Sequence, residues 1–185
     1  MNYEGNNIQG WMHGCELEFL YNIVQTMKKN SIVVEIGSWK GRSAHALASG
    51  IKNSNKKMKL FCVDTFLGVS GNVRQTDEAK VTSIREIFEN NMKDFDYNIL
   101  QLTSEEASRN FKDGSISLIF LDCDHSYEST SNDLNLWFPK LKKGGLFVGH
   151  DYNEETPGCF NAVNEYFSND YVIEKVKDSI FVVKK

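Results

Sequence analysis

Three short runs concentrate the side chains that could do chemistry. LIFLDCDHSYE, Leu118 to Glu128, is an apolar stretch that ends in Asp122 and is followed by Asp124 and His125. GLFVGHDY, Gly145 to Tyr152, ends in the same way in His150 and Asp151. Two carboxylates and an imidazole that converge can hold a divalent cation such as Mg²⁺ or Mn²⁺. Asp122, His150 and Asp151 are therefore candidate metal ligands. An imidazole, with a reference pKa of about 6.5, can also take a proton near neutrality, which makes His125 and His150 candidate catalytic bases. The plainer reading of the same residues is an ion-paired rim without a metal.

The third run, VVEIGSWKGRSAHAL from Val33 to Leu47, reads as a buried strand, a tight turn on Gly37 and Gly41, and a helix. Such strand–loop–helix units are where open α/β sheets bind nucleoside cofactors. A dinucleotide loop needs a middle glycine to admit the pyrophosphate, and Trp39 stands there. A phosphate-cradling loop needs four residues between its glycines and then Lys; this one has three and then Arg42. The loop therefore suits a nucleoside without phosphates, and S-adenosylmethionine is such a molecule. Glu35 is placed to anchor the loop or to reach the cofactor's amino group, Ser38 and Trp39 form the bend, and Ser43 stands at a helix start that welcomes a carboxylate. Asp64, at the end of the next apolar run, can accept hydrogen bonds from ribose hydroxyls. A purely structural turn and a loop acid are the bland alternatives.

These runs need a scaffold. Strand-like and helix-like patterns alternate along the chain, which predicts α/β architecture with a mainly parallel sheet. Strands are expected at 31–36, 59–64, 97–102, 116–122 and 146–149. Helices are expected at about 15–28, from the helix start at Ser43 to about 52, and at 77–92, 129–141 and 159–167, with a short one after Ser104. The runs 171–176 and 179–183 are separated by two residues, so they must pair as an antiparallel hairpin. The polar stretch 65–80 is long enough to be a functional loop. His45, inside a helix, and Trp137, on an amphipathic one, read as packing residues, and His13 precedes the first helix.

The bulk numbers set the class. A chain of 185 residues with 41% hydrophobic content suits one domain, spanning 1–185, with residues 1–30 as an N-terminal cap segment and helix. A net charge of −4 argues against a nucleic-acid groove. No apolar run approaches the roughly 20 residues that span a bilayer, and no leader pattern opens the chain, so a membrane partner is not expected. Cys15, Cys62, Cys123 and Cys159 form no C-x-x-C pair and read as reduced structural thiols of a cytoplasmic protein.

Taken together, these residues resemble the class I S-adenosylmethionine-dependent methyltransferases, and within them the small O-methyltransferases of the catechol and macrocin type. The motif E-x-G-x-(aromatic)-x-G-x-S of the catechol branch is matched by Glu35, Gly37, Trp39, Gly41 and Ser43. The resemblance implies a Rossmann-like single domain with sheet order 3-2-1-4-5-7-6 and strand seven antiparallel. It implies Asp64 as the ribose acid, Ser104 and Glu105 on the adenine side, Asp122 as a cofactor-side and metal-binding acid, and a ligand pair at His150 and Asp151. The family usually has Asp-Asp or Asp-Asn at that pair, so His150 is a departure. The catechol enzymes carry a base Lys where this chain has His125, and Gly10-Trp11-Met12 looks like the cap folded over the cofactor. The implied activity is methyl transfer to a hydroxyl oxygen of a small-molecule acceptor with divalent-metal assistance, in a chain that could form a homo-oligomer. A metal-independent methyltransferase acting on N or O, a catalytically silent S-adenosylmethionine-binding protein and a nicotinamide oxidoreductase are the competing readings.

Overall fold

The protein is described by a computed structural model over residues 3, 7–69, 72–122, 124–168 and 170–185. The alternating pattern resolves into α1 (Gly14–Gln25), β1 (Ile32–Ile36), α2 (Arg42–Asn53), β2 (Lys59–Val63), α3 (Val73–Val81), α4 (Ile84–Met92), β3 (Asn98–Leu100), α5 (Ser104–Ser108), β4 (Ile116–Leu121), α6 (Tyr127–Trp137), β5 (Leu141–Gly149), α7 (Pro157–Phe167), β6 (Ile173–Lys177) and β7 (Ile180–Lys184). The strands form one sheet in the order β3-β2-β1-β4-β5-β7-β6, as the resemblance implies. Pairing is parallel from β3 through β5, and β7 runs antiparallel to both β5 and β6. Chain order reverses direction across the sheet between β1 and β4, which opens a crevice beyond their carboxyl ends.

Side chains of a strand point alternately to its two faces. Val33 of β1 accordingly enters the layer with Leu17, Leu20, Leu47 and Phe88, whereas Val34 and Ile36 join Trp137, Leu134 and Phe167 on the other side. The helices α1 and α2 cross tightly at Gly50, where a Cβ would run into the carbonyl of Tyr21 and the side chain of Val24. His45 packs edge-on against Phe95 at 4.9 Å and meets the Tyr3 hydroxyl at 3.0 Å, and Trp137 is fully buried, as their settings suggest.

Three elements differ from the expectation, the first being the polar stretch 65–80, expected as a loop, which is helical from Val73 onward. The helix expected over 77–92 is two helices, α3 and α4, split where Thr82 is extended and the Ser83 hydroxyl caps Glu86 N at 3.3 Å. No residue of α3 is buried, so packing does not hold it in line with α4. Strand β5 begins at Leu141, before Gly144-Gly145, because its register against β4 shifts and absorbs the glycines within the strand. Cys123, read above as a reduced thiol, lies outside the described residues.

Glu35 lies in the middle of the sheet and is wholly buried. Its Oε2 accepts from the Ser38 hydroxyl at 2.5 Å, whereas Oε1 has no hydrogen-bond partner. Burial pushes its pKa up to about 7; hydrogen bonds from Ser38 and Ser43 oppose the rise, and the charges of Asp122 and Asp64 add to it. The raised folded-state value means that Glu35 favours the fold most below its unfolded pKa, and that this contribution is lost as pH rises through about 7. The whole effect is of the order of 3 kcal/mol. Glu35→Gln should therefore gain thermal stability relative to the wild type between pH 5 and pH 8, by several degrees in calorimetry. A difference in Tm that stays constant across that range would show Glu35 to be ionised throughout.

Candidate active site

Backbone hydrogen bonds continue the ladder past the strand ends and bring the candidate residues to one rim. Gly37 N donates to Val63 O at 2.9 Å, Asp64 N to Leu100 O at 3.2 Å, Asp122 N to Ile36 O at 2.9 Å, and His150 N to Leu121 O at 3.1 Å. Above this rim lies a cavity of about 540 Å³, within the range of small-molecule sites.

The glycine loop forms one wall. Gly37 and Gly41 both have φ of 90°, a conformation natural only to glycine, and a Cβ on Gly41 would press on Phe88 and Met92. Trp39 (φ 44°) and Phe66 (φ 59°) are also left-handed, which is strained for bulky residues. Asp64 holds both bends: its Oδ2 accepts from Trp39 N at 2.7 Å and its Oδ1 from Phe66 N at 2.6 Å. Burial raises its pKa while these backbone donors oppose the rise. Each carboxylate oxygen has a second lone pair, and Asp64 lines the cavity. Gly37, Ser38, Trp39 and Ser43 line it too. Gly41 and Glu35 lie behind the wall: Glu35 anchors the loop through Ser38 and does not reach the cavity. The α2 start behind Gly41 has no side-chain cap, which leaves its amides to a ligand or solvent.

At the β3 end, Ser104 lines the cavity, with its hydroxyl bonded to Asp133 and accepting from Trp137 Nε1 at 2.8 Å. Glu105 does not line it. It lies on the outer side of α5, where it pairs with Arg109 at 2.5 Å in solvent. Asp133, a buried cavity-lining carboxylate on α6, is the acid the sequence reading missed on this side; nothing in the polar pattern of α6 sets it apart.

At the β4–β5 end, Asp122, His125, His150 and Asp151 all line the cavity. Asp151, itself left-handed at φ 58°, has its Oδ2 at 2.8 Å from His125 Nδ1 and 3.0 Å from His150 Nδ1. His150 Nδ1 is also 3.5 Å from Asp122, and its Nε2 lies 3.1 Å from Glu16 on α1. Both nitrogens of His150 thus face carboxylates. Burial opposes its charge, but Asp122, Asp151 and Glu16 outweigh burial and hold it protonated. Asp151 is held well below the usual carboxylate range by the two imidazoles despite its burial. The His125 pKa is raised, chiefly by its bond to Asp151.

This geometry revises the expected metal set. His150, read as a ligand and a base, has no nitrogen to spare for either role. Asp122, His125 and Asp151 instead offer ligand atoms within 4.8 Å of one another. The three acids of this cluster, Asp122, Asp151 and Glu16, outnumber its two imidazoles, so it has room for added positive charge. The donor set, two carboxylates and an imidazole, fits Mg²⁺ or Mn²⁺.

The cavity is covered from two directions. Arg42 holds the N-terminal segment by donating to Ile8 O at 2.6 Å and Met12 O at 3.0 Å, so that Gly10, Trp11 and Met12 line the cavity. Lys40, nearly fully buried, donates to Gln9 Oε1 at 2.7 Å and pairs with Glu78 of α3. Gln75 on α3 lines the cavity with Oε1 buried and without a partner, an acceptor that a ligand amine or hydroxyl would satisfy. A nucleoside with an amino-acid tail therefore fits this cavity in size and in donor–acceptor chemistry.

Comparison with known proteins agrees. Residues 34–152 match the family described as the methyltransferase domain. An uncharacterized protein of Acanthamoeba polyphaga mimivirus is 29% identical over 171 residues, which cover 88% of this chain and 72% of that one. Among solved structures, the O-methyltransferase NovP superposes with a TM-score of 0.68 at 20% identity, covering 92% of this chain and 79% of its own. The O-methyltransferase from Bacillus cereus, solved in complex with SAH, does so with a TM-score of 0.66 at 16% identity, covering 97% and 85%. The chain belongs to the methyltransferase domain family and is a class I S-adenosylmethionine-dependent methyltransferase.

Proposed function

We propose that this protein transfers the methyl group of S-adenosylmethionine to a hydroxyl oxygen of a small-molecule acceptor. The observation that carries this reading is one cavity walled by the Trp39 bend and Asp64 on one side and by the His125–Asp151 pair on the other. In this reading Asp64 receives the ribose hydroxyls, and the amino-acid tail lies over Gly37, Ser38 and Trp39 toward Ser43. Ser104 and Asp133 border the adenine. Asp151 holds His125 by Nδ1 and leaves Nε2 to take the acceptor's proton. As the acceptor oxygen attacks the methyl carbon, the C–O bond forms and the C–S bond breaks. Its electron pair stays on sulfur, and S-adenosylhomocysteine leaves. Orienting the oxygen in line with that bond can supply roughly 7–11 kcal/mol of the barrier in favourable cases. The carboxylates of Asp122 and Asp151 would hold a divalent cation, which would supply Lewis-acid stabilisation of the acceptor oxygen and leave His125 Nε2 to the proton.

The free thiols of Cys15, Cys62 and Cys159 support a reducing, cytoplasmic setting. Among the described residues no helix is long and apolar enough to cross a membrane.

Melting temperature should rise with S-adenosylmethionine or S-adenosylhomocysteine and not with NAD, because only a ligand of the native state stabilises it; a rise with NAD alone would overturn the reading. Asp64→Asn should weaken S-adenosylhomocysteine binding about 10- to 100-fold in calorimetry, the loss of a charge-assisted hydrogen bond. His125→Ala should lower turnover roughly 10²–10⁴-fold with cofactor affinity unchanged, measured as labelled methyl transferred to a panel of phenols and sugars. EDTA should abolish that transfer and Mg²⁺ or Mn²⁺ restore it; full activity in chelator would leave the His125–Asp151 pair acting alone.

A further inference from the structure

Glu16 stands in the first turn of α1, outside every motif that marks the site, and is only 2% exposed. Four donors converge on its carboxylate. His13 N, at 2.9 Å, and His150 Nε2, at 3.1 Å, meet Oε2. Ser179 N, at 3.2 Å, and the Ser179 hydroxyl, at 3.0 Å, meet Oε1. A carboxylate has about four acceptor sites, so Glu16 is saturated. Beyond it the contacts continue in one line: His150 Nδ1 to Asp151 Oδ2 at 3.0 Å, and the same Oδ2 to His125 Nδ1 at 2.8 Å. A buried acid of α1 is thereby connected to a half-exposed ring on the cavity wall.

An imidazole bonded through one nitrogen can swing about its side-chain torsions; bonded through both, it has one orientation. We infer that Glu16 is a positioning residue: by holding Nε2 of His150 it turns Nδ1 onto Asp151, and Asp151 so fixed presents His125 to the cavity. The purpose of this arrangement rests on the methyl-transfer reading, while the positioning itself needs no acceptor. Glu16 also follows directly on the segment that covers the cavity and bonds His13 N at its end. The seating of that segment and the alignment of the catalytic rim therefore share one carboxylate.

The simpler role would be to fasten α1 to the turn between β6 and β7 through Ser179. Two variants separate the roles. Glu16→Gln has one acceptor oxygen where the carboxylate has two, so it cannot serve both Ser179 and His150. Ser179→Ala removes the hydroxyl contact and leaves His150 untouched. The protein is labelled with ¹⁵N-histidine, and the ring ¹⁵N and Cε1–H resonances of His150 and His125 are recorded, together with S-adenosylhomocysteine affinity. Glu16→Gln should shift the resonances of both rings, and Ser179→Ala should move neither. Rings unmoved in Glu16→Gln, or moved equally by Ser179→Ala, would reduce Glu16 to a fastener. If Glu16→Gln does not fold, Glu16→Asp, which keeps the charge and loses reach, makes the same comparison with the same two outcomes. Failure of the wild type to bind S-adenosylhomocysteine would end the methyl-transfer reading and leave the ring comparison standing.

Discussion

The site is organised by the cost of gathering acids at the carboxyl edge of a parallel sheet. Glu35, Asp64, Asp122 and Asp151 belong to neighbouring strand ends, and the charges of Asp122 and Asp64 are felt at Glu35. Buried carboxylates repel one another and lose hydration, so each must find a partner or keep its proton. The fold resolves these demands in different ways. Glu35, deepest in the sheet, favours the protonated form. Asp64 faces backbone amides of two turns. Asp151 is matched by two imidazoles, and Glu16 answers the far side of one of them.

These solutions explain the loop shapes. The amides of Trp39 and Phe66 reach Asp64 from residues held in left-handed backbone. Asp151 is itself left-handed and lies between two histidines. Strain in such residues persists only where surrounding bonds over-determine the conformation. Here the charge compensation and the unusual backbone support each other, and both border the cavity. The coverings of that cavity converge on the ammonium of Lys40, which takes Gln9 from the N-terminal segment and Glu78 from α3. The glycine loop thus ties down its own lid.

Much of the fold was legible because its signals are local. A two-residue gap forces a hairpin, and apolar runs ending in acids mark strands that stop at a site. The split between α3 and α4 had one local signal, Ser83 three residues before Glu86, set within a helical pattern that otherwise runs on through Thr82-Ser83. Glu105 was carried by position next to Ser104, but a short helix turns adjacent residues about 100° apart, so Ser104 faces the cavity and Glu105 the solvent.

By itself the sequence determined the class of the sheet, the strand–glycine–helix unit, and the placement of Asp64, Asp122, His125 and Asp151 at strand ends, because strand periodicity and turn chemistry act over a few residues. Only the tertiary structure decided what those groups do to one another. Glu16 and Asp133 come from helices whose amphipathic patterns look ordinary, and they reach the cavity region because the helices pack on opposite faces of the sheet. That packing gave His150 a carboxylate on each side, one of them 134 residues away in the chain, and left His125 bonded through Nδ1 alone.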